Sequence, residues 1–576
     1  MKKMKVRERI GYDRIIIPAF LFRIPGVDRT VIGVAIALWR KKTFPSIFER
    51  PALCFFILAL LWGCTQPKEP KNPSALTEAS IGEPKRLIPM LASDSASQDI
   101  TGLVFNGLVK YDKNIRLTGD LAESFEMTPD CRSATFHLRK GVKWHDGREF
   151  TADDVLFTYQ KIIDPQTVTP YSSGFERVEK VEKLDPQTVR VTYREPFAPG
   201  LESWGMGMIP KHLLDGKDLN TDPFSRNPVG TGPFRFSEWV TGQKVVVKAN
   251  PDYFEGKPEI EEYIYRLIPD TATQFLELKA LNIDMMSLSP VQYQKQTEDR
   301  FFQSEFTKFK YPALSYTYVG YNQRDPKFSD KRVRRALTHA INKSAIIQGV
   351  LLGLGKPATG PYLPESWAFN PNVKDLEYNP EEAKALLAEA GWSPDKDGLL
   401  KKEGVPFAFT LLTNQGNAER AKAAEIIQRD LRQIGIRVEI RVLEWQTLLH
   451  QFIDKKQFEA VIMGWGVGLD PDIYTIWHST KIKEGEFNFI SYRNPQVDDL
   501  LIKGRETCNQ EERKKIYQQV HRLIADDQPY TFLYYPMALP IVHKRFKGIE
   551  PSPIGITYNL PRWKISKNRS EPQPTP

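Results

Sequence analysis

Two strand-like runs, Ile436 to Leu443 and Phe458 to Gly464, flank the helix-like stretch EWQTLLHQFI, and this strand, helix, strand order limits the chain's architecture more than any other feature. It favours a lobe of mixed α/β layering, because elements of both periods must bury their apolar faces against one another. Short alternating runs at Thr135 to Leu138, Thr188 to Tyr193 and Lys244 to Lys248 read as further strands. Helical periodicity predicts helices over Val333 to Ile341, Pro380 to Ala390 ahead of Gly391, Glu419 to Ile434 ahead of Gly435, and Glu511 to Ala525. At 576 residues and 41% hydrophobic content the chain exceeds a single core, so two packed lobes are expected.

The formal charge of +9 suggests nucleic acid until its position is considered. Residues 1–50 carry twelve Lys and Arg against four Asp and Glu, which leaves +1 for the remainder and no basic footprint. The uncharged run Ala52 to Trp62 follows Arg40, Lys41, Lys42 and Arg50, and it precedes Gly63 and Cys64. It is too short to span a bilayer and has the layout of a secretory signal. Leu61 to Cys64 resemble a bacterial lipobox, so Cys64 is the expected lipidation site. Residues 1–63 are read as signal and N-terminal extension, with an over-extended start, and 64–78 as a lipidated flexible tether. Residues 566–576 read as a disordered tail.

Metal and nucleophile chemistry finds no pattern here. There is no HExxH, paired CxxC or GxSxG, and the eight histidines are scattered; His145 in WHDG reads as a polar turn. GVLLGLGKP lacks the hydroxyl that a phosphate loop places after its lysine. No catalytic residue, metal ligand or cofactor is therefore expected. Cys131 and Cys508 are expected to be free buried thiols in different lobes, since a bridge would restrain the lobes' relative motion.

Four stretches, Leu121 to Tyr159, Asn227 to Phe254, Phe328 to Ile347 and Glu444 to Ser479, together resemble the bacterial extracellular solute-binding proteins of family 5. These are the oligopeptide- and dipeptide-binding lipoproteins of ATP-driven (ABC) importers. In the first stretch Thr151 or Asp153 is placed to cap a helix; in the third, Asp330 caps one whose apolar face is Val333, Ala336, Leu337 and Ala340, with Arg332 and Arg335 outward. The resemblance implies a periplasmic-binding-protein-like α/β fold: lobe I over 79–330 with an extra subdomain, lobe II over 331–529, a return to lobe I over 530–565, and mixed sheets joined by a two-segment hinge. It also implies a monomer in the periplasm or at the cell surface, with an ABC permease and the membrane as partners and no nucleic acid.

The fourth stretch carries the expected site. Gly464, Gly466 and Gly468 leave backbone accessible, so an extended peptide could pair with this edge while Trp445 and Trp465 line side-chain pockets. The resemblance assigns ligand contact to Gly464, Trp465, Gly466 and Trp445, with Tyr318 as a further candidate. Peptide-binding members place an aspartate three residues after this tryptophan to neutralise the ligand's ammonium; here that position is Gly468. Asp470 or Asp472 must then reach the same point, or the ligand's amine is absent or solvated. Short peptides are the expected ligand; a nickel complex, a sugar, or an envelope peptidase activity are the alternatives.

Overall fold

The computed structural model describes residues 72–566. The expected signal, Cys64, most of the tether and residues 567–576 lie outside the described residues.

Strand Ala75–Ser80 begins directly after the Pro-rich stretch, so the part of the tether expected up to residue 78 is instead the central strand of lobe I. It pairs in parallel with Glu262–Leu267 and with Met285–Ser287. The full order is Phe306–Lys308, Pro540–His543, Met285–Ser287, Ala75–Ser80, Glu262–Leu267, Lys244–Ala249, Phe234–Val240, a mixed seven-stranded sheet. Beside it stands a four-stranded antiparallel sheet of Ala122–Met127, Ser133–Leu138, Thr188–Tyr193 and Val178–Asp185, the extra subdomain. One continuous core, including Trp144, Trp204 and Trp563, joins the two.

Lobe II is built on a second mixed sheet: Tyr311–Pro312, Tyr530–Ala538, Ser315–Tyr321, Ala460–Gly466, Ala408–Asn414, Arg437–Leu443, with Gly355–Pro357 against Tyr530–Ala538. A separate core covers each face. The lobe boundaries expected at 330 and 529 are therefore displaced. Strand Ser315–Tyr321 pairs on one edge with Ala460–Gly466 and on the other with Tyr530–Ala538, which draws both it and Tyr530–Ala538 into lobe II. The chain crosses between lobes after Lys308 and again between Ala538 and Pro540. The crossing segments are bonded to each other, Phe309 N to Pro540 O at 2.9 Å and Ala313 N to Pro536 O at 3.1 Å, forming the two-segment hinge.

Local signals place the helices well. Thr151 caps Ala152–Ile163 in a reciprocal box with Asp154. Asp330 caps Lys331–Ala340, whose Val333, Ala336, Leu337 and Ala340 are all buried. The helix predicted over Glu419 to Ile434 runs Ala418–Gln433, and that over Glu511 to Ala525 runs Gln510–Asp527.

The histidine of WHDG does more than turn the chain. His145 Nδ1 accepts from Gly230 N at 3.1 Å and Nε2 lies 3.0 Å from Gly232 O, fastening the first hairpin to the second family-like stretch. Burial pushes its imidazole down to about 4, and burial does the same to His521, whose Nδ1 accepts from Asn370 N. A group whose folded value lies below its unfolded one, near 6.5, stabilises the fold fully above that pH and loses the contribution as pH falls toward the folded value. Wild type is therefore expected to lose about 2 kcal/mol of stability relative to His521→Gln between pH 7 and pH 5. Denaturant melts of both proteins check this; parallel pH profiles would contradict it.

Candidate functional site

The site forms where the carboxyl ends of the two central sheets face each other. Strand Ala408–Asn414 has Arg437–Leu443 as its parallel neighbour on one side and Ala460–Gly466 on the other. Its outgoing helix leads to the former, so the chain reverses direction between Ala408–Asn414 and Ala460–Gly466. Such a switch point leaves a crevice beyond the strand ends. Pairing between these two strands stops at Leu412↔Val461, so from Ile462 onward that edge of the second strand has no ladder partner, while its opposite edge stays paired through Ser315↔Gly466. A Cβ added at Gly466 would meet no atom within 4 Å: open space adjoins the strand end.

Aromatic groups line this edge and reach across to lobe I. Trp465 is half-buried, donates Nε1 to Tyr530 Oη at 3.2 Å, and meets Phe487 edge-on at 5.2 Å between centroids. Phe487 meets Tyr171 of lobe I at 5.5 Å. Trp445 lies against Gly82 of lobe I; a Cβ there would sit 2.8 Å from Trp445 Cδ1. Gln446 donates to Glu83 O across the cleft, and Lys85 pairs with Asp454 at 2.7 Å. The lobes are closed on each other, with Gly464, Trp465, Gly466 and Trp445 brought to one side of the cleft.

Two expected residues sit elsewhere. Tyr318 is fully buried and stacked on Tyr530 at 3.9 Å, so it supports the ring that holds Trp465 and does not face the cleft. Asp470 is held by Arg513 through two bonds of 2.7 and 2.9 Å, and Asp472 by Arg505 at 2.9 Å. Both carboxylates are neutralised within the protein. The Asp470 amide reaches Glu202 of lobe I at 3.4 Å, and burial, reinforced by Asp470, pushes the Glu202 carboxyl up to about 7.

Sequence reading passed over three charged residues near these strand ends, Glu78, Asp99 and Arg420. On lobe I, Asp99 lies exposed on helix Ser95–Val104. Glu78, on the central strand, is raised well above the usual carboxylate range by burial and then by Asp99. Tyr263 Oη donates to Glu78, and Tyr265 Oη to Asp99 at 3.4 Å. On lobe II, Arg420 bonds Asn414 Oδ1 at 2.8 Å, and its Nη2 lies 2.9 Å from where a Gly464 Cβ would be. The available signal was an acid at the same strand phase as buried Leu76, hidden by reading Glu78 as tether. Among the described residues no group of three or more His, Cys, Asp or Glu is arranged to hold a metal ion.

Cys131 and Cys508 were expected to be free thiols; they are bonded to each other, their Cα atoms 6.2 Å apart, well within bridging range. The closed lobes bring together the turn after Met127 and the loop between helices Pro495–Glu506 and Gln510–Asp527.

The family model "Bacterial extracellular solute-binding proteins, family 5 Middle" matches residues 116–485. The chain belongs to that family. Among its relatives, the oligopeptide-binding protein AppA of Bacillus subtilis strain 168 is 36% identical over 514 residues, covering 87% of this chain and 93% of AppA. A structure of B. subtilis AppA in complex with a nonapeptide is similar with a TM-score of 0.82 at 35% identity, covering 86% of this chain and 99% of that one. NikZ from Campylobacter jejuni, in complex with Ni(L-His), is similar with a TM-score of 0.79 at 30% identity, covering 85% and 99%. The family 5 fold is thus the periplasmic-binding-protein-like α/β architecture described above, and the family is one of extracellular solute-binding proteins.

Proposed function

We propose that this family 5 protein is the capture component of an ABC importer for short peptides, held to the membrane by lipid on Cys64. The observation that supports the reading is the strand end Ile462–Gly466, whose edge lacks a ladder partner beyond Val461 and where a Cβ added at Gly466 meets no atom within 4 Å. An extended peptide supplies the missing main-chain bonds, while Trp465 and Trp445 cover its side chains. AppA, similar over nearly its whole length, has been seen with a nonapeptide.

The mechanism requires no bond to change in the ligand. A guest between the lobes stabilises the closed arrangement, and the permease reads closure as a change of surface. The protein acts as a monomer, and peptide is returned intact.

Trp465→Ala tests the site. It is expected to weaken peptide binding by about tenfold or more, since a large half-buried aromatic contact is lost, while thermal unfolding stays cooperative. Titration calorimetry with synthetic peptides measures this; unchanged affinity moves the site elsewhere, and cleaved peptide would make the protein an enzyme.

A further inference from the structure

The end of lobe II remote from the ligand cleft holds a cavity of about 350 Å³, lined by Gln323, Arg324, Ser329, Ile482, Ser491 and Arg493. Strand Ser315–Tyr321 pairs with Gly466 at its first residue and with Ala460 at its last. From there the chain continues into the cavity wall, Asn322 N bonding Glu459 O at 3.0 Å and Gln323 N bonding Ile490 O at 2.9 Å. Seven residues of extended strand set this wall about 20 Å from the strand end that holds Gly466. The cavity is therefore no part of the peptide crevice.

Its polar lining consists mainly of donors. Arg324 Nη2 donates to Lys456 O at 2.8 Å, which fixes the guanidinium at the wall and leaves its other N–H groups unbonded among the described residues. Arg493 reaches the surface, and its side chain has neither a hydrogen bond nor a carboxylate partner among them. Gln323 Nε2 is buried and has no partner among them either. The Ser491 hydroxyl adds a donor that can rotate. Guanidinium groups accept nothing, so what this lining suits is a ligand made of acceptors.

A third cation stands beside the two arginines. Lys456 is buried, and its Nζ donates to the carbonyl of the lining residue Ile482 and lies 3.5 Å from Asn488 O. Burial first, and then Arg324 and Arg493, push its ammonium down to about 8. Glu486 opposes that repulsion but is already engaged, by Lys481 at 3.7 Å and by Lys483 N at 2.9 Å. Asp325, next to Arg324 in the chain, is held by Lys327 at 2.9 Å. The backbone here is also unusual: Lys456 at φ +55° and Ser491 at φ +61° are both left-handed without being glycine. Such conformations gather where a fold fixes groups for a task. The turn at Ser491 is clamped by Asn488, whose O accepts from Ser491 N at 3.1 Å and whose Oδ1 accepts from Tyr492 N at 2.9 Å, and Arg493 follows directly.

We propose that this cavity is a second binding site, separate from the peptide cleft, that receives a phosphate ester on Arg324, Arg493 and Gln323. A phosphate group brings acceptor oxygens in several directions and up to two negative charges, which meet the guanidinium forks and relieve the mutual repulsion of the three cations. The volume lies at the lower end of the range for small-ligand sites, about 300–1,000 Å³, which suits a phosphate carrying a small organic group better than a bare ion. The same chemistry is offered by a soluble phosphate ester and by the headgroup of an anionic phospholipid. Neither source depends on what the cleft between the lobes binds.

The test uses the full chain with inorganic phosphate, glycerol 3-phosphate and phosphatidylglycerol vesicles, the soluble probes read by calorimetry and the vesicles by co-sedimentation. Glycerol 3-phosphate is expected to bind wild type, and Arg324→Gln and Arg493→Gln are each expected to weaken it by about tenfold or more while peptide affinity stays the same. Vesicle binding that is lost in the same two variants identifies the ester as a lipid headgroup; binding of the soluble ester without the vesicles identifies it as a soluble solute. A wild-type readout stands beside these in case a variant folds poorly. Near pH 8 the ester takes up protons on binding, because a nearby anion favours the charged form of Lys456, and heats measured in buffers of different ionisation enthalpy count them. The inference is overturned if neither ester probe binds at millimolar concentration, if affinity survives in both variants, or if the bound ester takes up no protons. Binding of inorganic phosphate alone marks an adventitious ion only and overturns it as well. Absence of peptide binding removes the peptide reading and leaves this site standing.

Discussion

Replacing Gly416 by Ala is expected to weaken ligand binding about a hundredfold without unfolding either lobe. Gly416 lies between strand Ala408–Asn414 and helix Ala418–Gln433, with φ at +84°. A Cβ there would sit 1.9 Å from the carbonyl oxygen of Pro269 and 3.4 Å from Ile81 Cβ, both in lobe I. Backbone meets backbone across the cleft, so nothing flexible can yield, and the closed form must open to accommodate one methyl group. The left-handed backbone adds a cost of roughly 1 kcal/mol to open and closed forms alike.

Gly404→Ala separates the two effects. Its φ is +80° and a Cβ there meets nothing within 4 Å, so it carries the same backbone cost without the collision. Calorimetry gives the affinities, and small-angle scattering gives the compaction on ligand addition. Gly416→Ala should stay open where wild type and Gly404→Ala close. Equal affinity and equal compaction in the two variants would mean that the lobes do not approach as described.

Reducing the Cys131–Cys508 bond is expected to accelerate ligand exchange in both directions by about a hundredfold or more. The bond joins the extra subdomain of lobe I to the helical side of lobe II, residues 377 apart in sequence. Around it the lobes are also tied by Ala198 N to Arg505 O at 2.7 Å and by Arg505 Nη1 to Ser173 O at 3.0 Å. These hydrogen bonds can break during opening; the covalent one cannot. With it intact, the cleft must admit its guest by smaller local motions, and both association and dissociation slow. Stopped-flow exchange of a fluorescent peptide, with and without reductant and in Cys508→Ser, measures the effect. Identical rates would place the bond outside the moving interface. The reduced protein should also lose about 2–5 kcal/mol of stability, as expected for a long closed loop.

Helices and caps were legible in the sequence because their signals are local. Asp330 and Thr151 cap helices from within one turn, and the apolar face of Val333, Ala336, Leu337 and Ala340 repeats at the helical period. The glycine and tryptophan edge at 464–466 was legible for the same reason, since glycine exposes backbone wherever a strand ends. Trp445 could be named from its neighbours, but its contact with Gly82 belongs to a different lobe.

What the tertiary structure decided lies in pairings between residues far apart in the chain. Asp470 looked available until Arg513 was placed against it, and Tyr318 looked like a cleft residue until Tyr530 was stacked upon it. The two cysteines looked separate because sequence distance says nothing of spatial distance once a hinge is closed. By itself the sequence determined which segments become strands and helices and which faces they bury, because periodicity and capping act within a few residues. Only the folded chain decided which charges neutralise one another, because an ion pair depends on the distance between two side chains and not on their spacing along the backbone.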